Sequence, residues 1–272
     1  MPDNPWAGKR LGIIGAGNMA EAIARGVTAA GLIAPDGILA YDPLPERLSL
    51  FASLGFRPAS VTETAGCEAV LLSIKPQSLQ QAATGVRPAI RAGTLAISIV
   101  AGVPTRSLEN LLAPGVKIVR VMPNTPLLVG FGMSCLSRGP GAGDAEMRMV
   151  SALFSAAGTA IELPEDQLDA VTALSGSGPA YLFRFAEMLI AGGVAVGLSP
   201  DTAKLLTVNT LRGAAEMLAR GGDPEDLRSR VTSKGGTTAE ALRIFDAGRF
   251  AETVIEALRA ARDRSVQLGR DA

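Results

Sequence analysis

The sequence predicts an α/β protein, in which a doubly wound parallel sheet is followed by an all-helical domain. Short β-rich runs alternate with helical patterns through residues 1–163, which is typical of parallel strands joined by crossover helices. A glycine-rich turn follows the first apolar run and precedes a helical pattern. After Pro164 the strand signal fades and helical periodicity continues to the end of the chain. We therefore predict two domains, at 1–163 and 164–272.

Each predicted strand is an apolar run that ends at a turn-forming or charged residue. The strands are expected at Arg10–Ile14, Gly37–Tyr41, Ala69–Ser73, Thr94–Ile99, Lys117–Val121, Phe131–Leu136 and Thr159–Leu163. Between them, helical periodicity predicts helices at Met19–Ala30, Pro45–Leu54, Gln77–Ile90, Thr105–Leu112 and Gly143–Ala157. The helices of the second domain are separated by breaks at 175–179, 197–200 and 221–224.

The composition excludes several classes of function. Lys plus Arg (26) balances Asp plus Glu (26), so neither a nucleic-acid surface nor a polybasic membrane surface is expected. No apolar run is long enough to cross a bilayer, and the segment 1–10 lacks the apolar core of an export signal, so we expect a cytoplasmic protein. Mean hydropathy is +0.27 with few aromatic residues, which indicates a surface buried against another subunit or a large private core.

The chain contains no histidine, which removes histidine-based triads and histidine zinc sites from consideration. Its two cysteines, Cys67 and Cys135, have no metal or redox spacing and fit a reducing compartment. We expect no metal, and any proton transfer must use another group.

The segment 9–26 carries the main cofactor signal. An apolar strand leads into Gly15-Ala16-Gly17, and a helix follows through Asn18 and Met19. Gly15 permits the tight turn, Gly17 lets the backbone approach a pyrophosphate, and small Ala20 permits helix–strand packing. This context predicts a Rossmann-type dinucleotide site, with a structural glycine turn as the alternative.

Asp42 lies at the expected end of the second strand, where an acidic residue binds the ribose hydroxyls of NADH. Its spacing from Gly17 is slightly long, so it is alternatively a turn or capping aspartate before Pro43. Arg47 nearby would accommodate the 2′-phosphate of NADPH. The sequence favours NADH slightly and leaves both cofactors open.

Two further loops follow predicted strands at the carboxyl edge of the sheet, where ligands of doubly wound folds bind. The first is SIKP at 73–76, in which Lys75 is a candidate cofactor contact or a solvated lysine. The second is MPNTP at 122–126, whose prolines stiffen a loop that offers the Asn124 amide; a purely structural turn is the alternative.

The second domain carries two motifs. LSGSGP at 174–179 interrupts a helical stretch, either for close approach of a ligand or as a packing joint. In TSKGGTTAEAL at 232–242, a Gly-Gly turn opens a helix beside Ser233 and two threonines, which is a ready site for a carboxylate. Alternatively, Thr237 is only a helix N-cap, with Glu240 completing a capping box.

Taken together, these motifs resemble the pyrroline-5-carboxylate reductase family in order and over nearly the whole chain. The resemblance implies reduction of 1-pyrroline-5-carboxylate to L-proline with NADPH or NADH, and a homodimer with interlaced C-terminal helices that gathers into a larger ring. It implies a cofactor site on Gly15, Ala16, Gly17, Asn18, Met19, Asp42, Ser73, Ile74, Lys75, Pro76 and Asn124. It places the substrate on Ser233, Gly235, Gly236, Thr237 and Thr238, with the Gly236 and Thr237 amides on its carboxylate and Thr238 as the catalytic group at the ring nitrogen.

Two departures from the family pattern bear on substrate specificity. Lys234 stands where the family usually has proline, and Ser229-Arg230 stands where it commonly has an aspartate. Competing interpretations are an imine reductase acting on another substrate, a β-hydroxyacid dehydrogenase and a non-catalytic NAD(P)-sensing protein. The dehydrogenase is disfavoured because Leu182 and Ala186 occupy the positions of its lysine and asparagine.

Overall fold

The computed structural model describes residues 4–270. Residues 1–3, which open the segment considered for an export signal, and residues 271–272 lie outside the described part. The chain divides into two compact units, one made of residues 1–177 and 260–272 and the other of residues 178–259. We call these the first unit and the second unit. Among the described residues, no helix has the length and apolar character needed to span a membrane.

The first unit is built on an eight-stranded sheet in the order β3-β2-β1-β4-β5-β6-β7-β8. The strands are β1 (Leu11–Ile14), β2 (Ile38–Tyr41), β3 (Arg57–Pro58), β4 (Ala69–Leu72), β5 (Leu95–Ser98), β6 (Lys117–Met122), β7 (Gly132–Arg138) and β8 (Gly158–Glu162). Strands β1, β4 and β5 are buried along their whole length, which is why they read as continuous apolar runs. The predicted doubly wound sheet is confirmed.

Six helices connect these strands: α1 (Asn18–Ala29), α2 (Pro45–Ser53), α3 (Val61–Ala65), α4 (Leu79–Val86), α5 (Thr105–Leu111) and α6 (Asp144–Ser155). One core cluster packs α1 and α6 against the sheet, and a second packs α4 and α5. Two short elements, β3 and α3, were not predicted. The helix expected at Gln77–Ile90 is shorter, because a 3₁₀ turn at Pro76–Ser78 precedes it.

Two strands depart from the fully parallel sheet that the sequence predicts, because β8 lies parallel to β7 and therefore shares its reversed direction. Strand β7 runs antiparallel to β6, with Met122 opposite Cys135. Only a short 3₁₀ segment, Thr125–Val129, separates the two strands, and a connection without a crossover helix cannot return the chain to the same end of the sheet. The sheet is therefore mixed at this edge.

Between Pro164 and Arg270, the last residue that the structure describes, every regular element is helical, as predicted. A 3₁₀ turn (Glu165–Gln167), α7 (Leu168–Val171) and a π-helix (Thr172–Gly176) complete the first unit's main segment. The second unit contains α8 (Gly178–Ala195), α9 (Pro200–Ala219), α10 (Pro224–Arg230), α11 (Thr237–Ala247) and the start of α12 (Phe250–Arg270). The first unit and the second unit thus divide after residue 177. The domain boundary at residue 163, which is based on where the strand signal ends, stays a prediction.

The last turns of α12 belong to the first unit and are anchored there by polar and close-packed contacts. Ser265 donates through its hydroxyl to Asp169 Oδ1 at 2.7 Å. Asp169 and Glu165 both pair with Arg120 of β6, whose side chain is only 5% exposed. Gly269 packs so closely on the backbone of Gly102 that a Cβ at position 269 would overlap the Gly102 carbonyl. The last described turns of α12 are therefore an integral part of this unit.

The second unit has few buried side chains. Within its four complete helices, the buried residues are Pro179, Ala203 and Thr207. Large apolar side chains are instead exposed on it, including Leu182, Phe183, Leu205, Leu206, Val231 and Ile244. Exposed large apolar side chains in this number are typical of a unit that is covered by another protein surface.

Candidate active site

The glycine-rich turn between β1 and α1 has the backbone geometry that a pyrophosphate-binding loop requires. Gly15 has φ +97°, and a Cβ there would overlap the carbonyl of Ser73 at the end of β4, so only glycine fits. Its N–H donates to the Tyr41 carbonyl at 2.8 Å. Gly17 caps α1, and a Cβ at this position would meet no protein atom within 4 Å. Gly17 therefore faces open space at the helix start.

A cleft opens at this helix start, along the carboxyl ends of neighbouring strands. Strands β1, β4, β5 and β6 lie side by side, so the loops after them meet at one edge of the sheet. The cleft is lined by Gly17, Asn18, Met19, Ser73, Ile74, Lys75, Ile99, Met122, Pro123, Asn124, Thr125 and Gly176. The glycine turn, the SIKP loop and the MPNTP loop thus form one site.

The structure separates the predicted cofactor residues into two groups. Those that line the cleft are Gly17, Asn18, Met19, Ser73, Ile74, Lys75 and Asn124. Gly15, Ala16, Asp42 and Pro76 are not part of its lining. Gly15 and Ala16 instead shape the turn, and Pro76 begins the 3₁₀ turn after Lys75.

Five lining residues were not selected from the sequence. Met122, Pro123 and Thr125 belong to the MPNTP motif. A prediction that every residue of this loop lines the cleft, and not Asn124 alone, would have included them. Gly176 belongs to LSGSGP, where a Cβ would overlap the Met122 methyl group, so this glycine permits the contact between π-helix and cleft. Ile99 follows β5 and carries no signal beyond its place at the carboxyl edge.

The side chain of Asn124 connects the cleft lining to two neighbouring elements by hydrogen bonds. Its Oδ1 accepts a hydrogen bond from the Met133 N–H at 2.8 Å, and its Nδ2 donates to Ser175 Oγ at 3.2 Å. The side chain thereby joins the MPNTP loop to β7 and to the π-helix. The Ser177 N–H donates to the Thr172 carbonyl at 2.8 Å, which is the wide i→i+5 spacing that a π-helix introduces. The LSGSGP segment is thus a packing joint within the helical stretch, and through Gly176 it also lines the cleft.

Asp42 and Arg47 are engaged within the protein. Both oxygens of Asp42 accept backbone hydrogen bonds, from the Ala16 N–H at 2.7 Å and the Leu44 N–H at 2.9 Å. The turn-stabilising role considered for Asp42 is therefore present in the structure. Arg47 donates through Nε to the Ala16 carbonyl at 2.6 Å.

The cleft fits the phosphates of a dinucleotide. Within residues 4–270 no side chain caps the start of α1, so the first N–H groups of the helix keep their hydrogen-bonding capacity. They carry the positive end of the helix dipole. The exposed Lys75 adds a cation, and a side chain at Gly17 would fill the space beside these amides.

The second unit presents a different turn at the start of α11. The Gly236 N–H donates to the Ser233 carbonyl at 3.0 Å, which closes a β-turn over Lys234 and Gly235. Gly235 has φ +70°, whereas Lys234 is not among the residues with positive φ. This combination defines a type II turn, whose second position favours proline. Lys234 therefore occupies the turn position that favours proline, which is the residue expected there from the family resemblance.

The turn corrects two predictions about the helix start. Gly236, and not Thr237, is the N-cap residue, and the Glu240 carboxylate binds Arg243 Nε at 3.0 Å, so the alternative of a capping box at Thr237 is wrong. The Gly236 N–H is used inside the turn, so it is not free for the carboxylate contact predicted for it. The N–H groups of Thr237 and Thr238, at the first two helical positions, have no intrahelical partner.

The cysteines lie outside the cleft. Both are buried, and burial raises the pKa of Cys67 to about 11 and also raises the pKa of Cys135. A thiol with a raised pKa is a poor nucleophile at neutral pH. In the described part of the chain, no three His, Cys, Asp or Glu side chains gather as metal ligands.

Comparison with known proteins identifies the family. Residues 165–268 match the family model described as pyrroline-5-carboxylate reductase dimerisation, and residues 10–102 match one described as coenzyme F420-dependent NADP oxidoreductase. The chain is 39% identical to a pyrroline-5-carboxylate reductase of Arabidopsis thaliana and 40% identical to one of Pseudomonas aeruginosa. These alignments cover 96% of both chains for the plant protein, and 95% of this chain and 96% of the bacterial one. The chain belongs to the pyrroline-5-carboxylate reductase family.

Solved structures agree with this family assignment. The pyrroline carboxylate reductase of Plasmodium falciparum, with NADP bound, matches with a TM-score of 0.88 at 32% identity over 96% of this chain and 98% of that one. The pyrroline-5-carboxylate reductase of Coxiella burnetii matches with a TM-score of 0.88 at 33% identity and the same coverage. The resemblance inferred from the motifs is confirmed, as is the plan of a nucleotide-binding domain followed by a helical dimerisation domain.

Proposed function

We propose that the protein reduces 1-pyrroline-5-carboxylate to L-proline by hydride transfer from NAD(P)H. The observation that carries this proposal is the uncapped start of α11, where the Ser233–Gly236 turn leaves two amides and three hydroxyls for a small anionic substrate. Together with the cleft at the start of α1, this turn would give the chain one site for the substrate and one for the dinucleotide. The proposal extends to the slight preference for NADH that Asp42 suggests.

The cofactor, when bound, supplies a hydride from its nicotinamide ring. The chain's part is to hold the two reactants, since hydride transfer depends on positioning. We assign the phosphates to the amides of Asn18 and Met19 at the start of α1, with Lys75 as the nearby cation. Ile99 and Met122 make part of the cleft apolar, which favours a flat ring.

The substrate carboxylate is assigned to the start of α11. The N–H groups of Thr237 and Thr238 and the Ser233 hydroxyl would bind it, helped by the helix dipole. The Thr238 hydroxyl would hydrogen-bond the ring nitrogen, which makes it the proposed catalytic group. A cyclic imine protonates readily in water, so a chain without histidine needs no strong general acid.

We further propose that two copies associate through the second unit as a homodimer with interlaced helices. The support is the scarcity of buried side chains there and the exposed apolar residues on α8 and α9. The segment 164–272 would then be the substrate and dimerisation domain. A larger ring of dimers and a cytoplasmic location complete the proposal.

The decisive experiment follows oxidation of NADH and NADPH with 1-pyrroline-5-carboxylate, in wild type and in Thr238→Ala. We expect the variant to lose turnover by about tenfold or more, since it removes a hydrogen bond to the reacting nitrogen, with cofactor affinity nearly unchanged. Thr238→Ser should restore most of the turnover. Thr84→Ala, in which the lost hydroxyl only bonds the Gln80 carbonyl, is the matched control.

Two results would overturn the assignment. The first is no oxidation of either cofactor by the wild-type protein. The second is a Thr238→Ala variant that loses cofactor binding and turnover to the same extent, because that would place Thr238 in the cofactor site. Activity on other cyclic imines that exceeds activity on 1-pyrroline-5-carboxylate would favour the imine reductase alternative.

A further inference from the structure

The peptide of Ala16, in the middle of the glycine turn, is held on both sides by one short segment of the chain. Asp42 accepts the Ala16 N–H at 2.7 Å, and Arg47 donates to the Ala16 carbonyl at 2.6 Å. Both side chains come from the segment that follows β2. They fix the turn and, through it, the start of α1.

A third side chain, Glu21, compensates the charge of Arg47. Its Oε2 lies 3.4 Å from an Arg47 terminal nitrogen, and its Oε1 accepts from Arg25 Nε at 3.0 Å. Glu21 and Arg47 are 18% and 21% exposed, whereas Arg25 is 54% exposed. Partial burial makes the Glu21–Arg47 pair less screened by solvent than an ordinary surface pair.

This cluster stands where Rossmann folds distinguish NADH from NADPH. The adenosine ribose binds beyond the carboxyl end of the second strand, and an arginine near this position accommodates a 2′-phosphate. Here β2 ends at Tyr41, and Arg47 is the arginine that follows it. A 2′-phosphate would therefore compete with the Glu21 carboxylate for the same guanidinium group.

We propose that Glu21 is a cofactor-specificity residue, which lowers affinity for the 2′-phosphate of NADPH by neutralising and occupying Arg47. Asp42 adds a second carboxylate that a dianionic phosphate must approach. The inference rests on the proposed use of a nicotinamide cofactor and extends it to a residue on α1 that no glycine-loop pattern selects. Arg25 acts in the opposite sense, because it shares the Glu21 carboxylate and weakens its hold on Arg47.

The test measures dissociation constants of NAD⁺ and NADP⁺ by calorimetry, alongside kcat/KM for NADH and NADPH. Glu21→Gln removes the charge and keeps the shape, so NADP⁺ should bind about fivefold more tightly while NAD⁺ changes by less than about twofold. The gain should shrink at high salt. It should vanish in Glu21→Gln/Arg47→Gln, because the gain requires the arginine.

Two further variants test whether the change in NADP⁺ binding comes from the Glu21–Arg47 pair and not from a general change in surface charge. Arg25→Gln lies on the exposed face and should weaken NADP⁺ binding by about twofold, with the sign opposite to Glu21→Gln. Glu216→Gln removes a carboxylate from an exposed pair with Arg220 in the second unit and should change neither constant.

Equal changes for NAD⁺ and NADP⁺ in Glu21→Gln, or a gain that persists without Arg47, would overturn the inference. An Arg25→Gln variant that tightens NADP⁺ binding would do the same. Binding can be measured without substrate, so a protein that binds both cofactors but does not reduce 1-pyrroline-5-carboxylate would defeat the proposed function and still decide the role of Glu21.

Discussion

Two glycine-rich turns in this chain each open a helix with uncapped amides, and they are supported in very different ways. The turn at Gly15–Gly17 is held by the Tyr41 carbonyl, by Asp42 and by Arg47. The turn at Ser233–Gly236 is closed by its own hydrogen bond, and a Cβ at Gly235 would meet no protein atom within 4 Å. The first turn is thus organised by contacts within its own unit. The second turn is open on its outer side, as expected of a site completed by a partner or a ligand.

The largest expected effect separates two glycines of the first turn. Gly15→Ala should lower the free energy of unfolding by about 2 kcal/mol or more and abolish cofactor binding, because φ is positive and the new Cβ overlaps the Ser73 carbonyl. Gly17→Ala should fold normally and weaken the cofactor by about tenfold, because its Cβ meets only the open cleft. Thermal unfolding and cofactor titration measure both. Equal stability of the two variants would contradict the claim that the turn is fixed from outside.

A smaller effect is expected at the matching glycine of the second turn. Gly235→Ala should cost about 1 kcal/mol locally, since φ is +70° but no neighbour is displaced. We expect KM for 1-pyrroline-5-carboxylate to rise severalfold while the dissociation constant of the cofactor stays unchanged. Steady-state kinetics with both substrates varied gives this split. A loss of stability as large as that of Gly15→Ala would show that the second turn is also packed tightly.

The smallest effect concerns Lys234. Proline at this position should raise the free energy of unfolding by about 0.4–1 kcal/mol, because the second position of a type II turn already has the φ that proline imposes. Catalysis should continue. Chemical denaturation of wild type and Lys234→Pro provides the measurement, and Ser229→Pro, in the last turn of α10, is a control expected to destabilise. Destabilisation by Lys234→Pro would mean that the turn is held in another geometry.

Much of the first unit was predictable because its signals are local. Strands β1, β4 and β5 are buried on both faces and therefore appear as apolar runs in the sequence. The Gly15–Gly17 turn is recognisable because its glycines lie directly between an apolar run and a helical pattern. Strand β3 has two residues and lies at the sheet edge, so it leaves no pattern. The reversed direction of β7 depends on the length of its connection, which hydrophobic periodicity does not report.

The site was predictable in its motifs and not in its internal contacts. A sequence shows that Asp42 follows the second strand, but it does not show that both carboxylate oxygens are taken by backbone amides. Similarly, Gly236 could be read as a free amide until the β-turn assigned its N–H to Ser233. Which partner each of these hydrogen-bonding groups takes is determined by the three-dimensional structure and not by the local sequence. The pair of Glu21 and Arg47, 26 residues apart, belongs to the same class.

The docking of the last turns of α12 has a consequence for how the protein is made. Domains generally fold as units during synthesis, with the N-terminal end available first. Here the sheet of the first unit is fully synthesised well before Ser265 and Gly269 leave the ribosome. In that interval Asp169 lacks its hydroxyl donor and the backbone of Gly102 lacks its covering helix. The first unit therefore completes its packing only after residues 260–270 have been synthesised, and a nascent chain halted near residue 259 should be more open to proteolysis there than a chain that contains them.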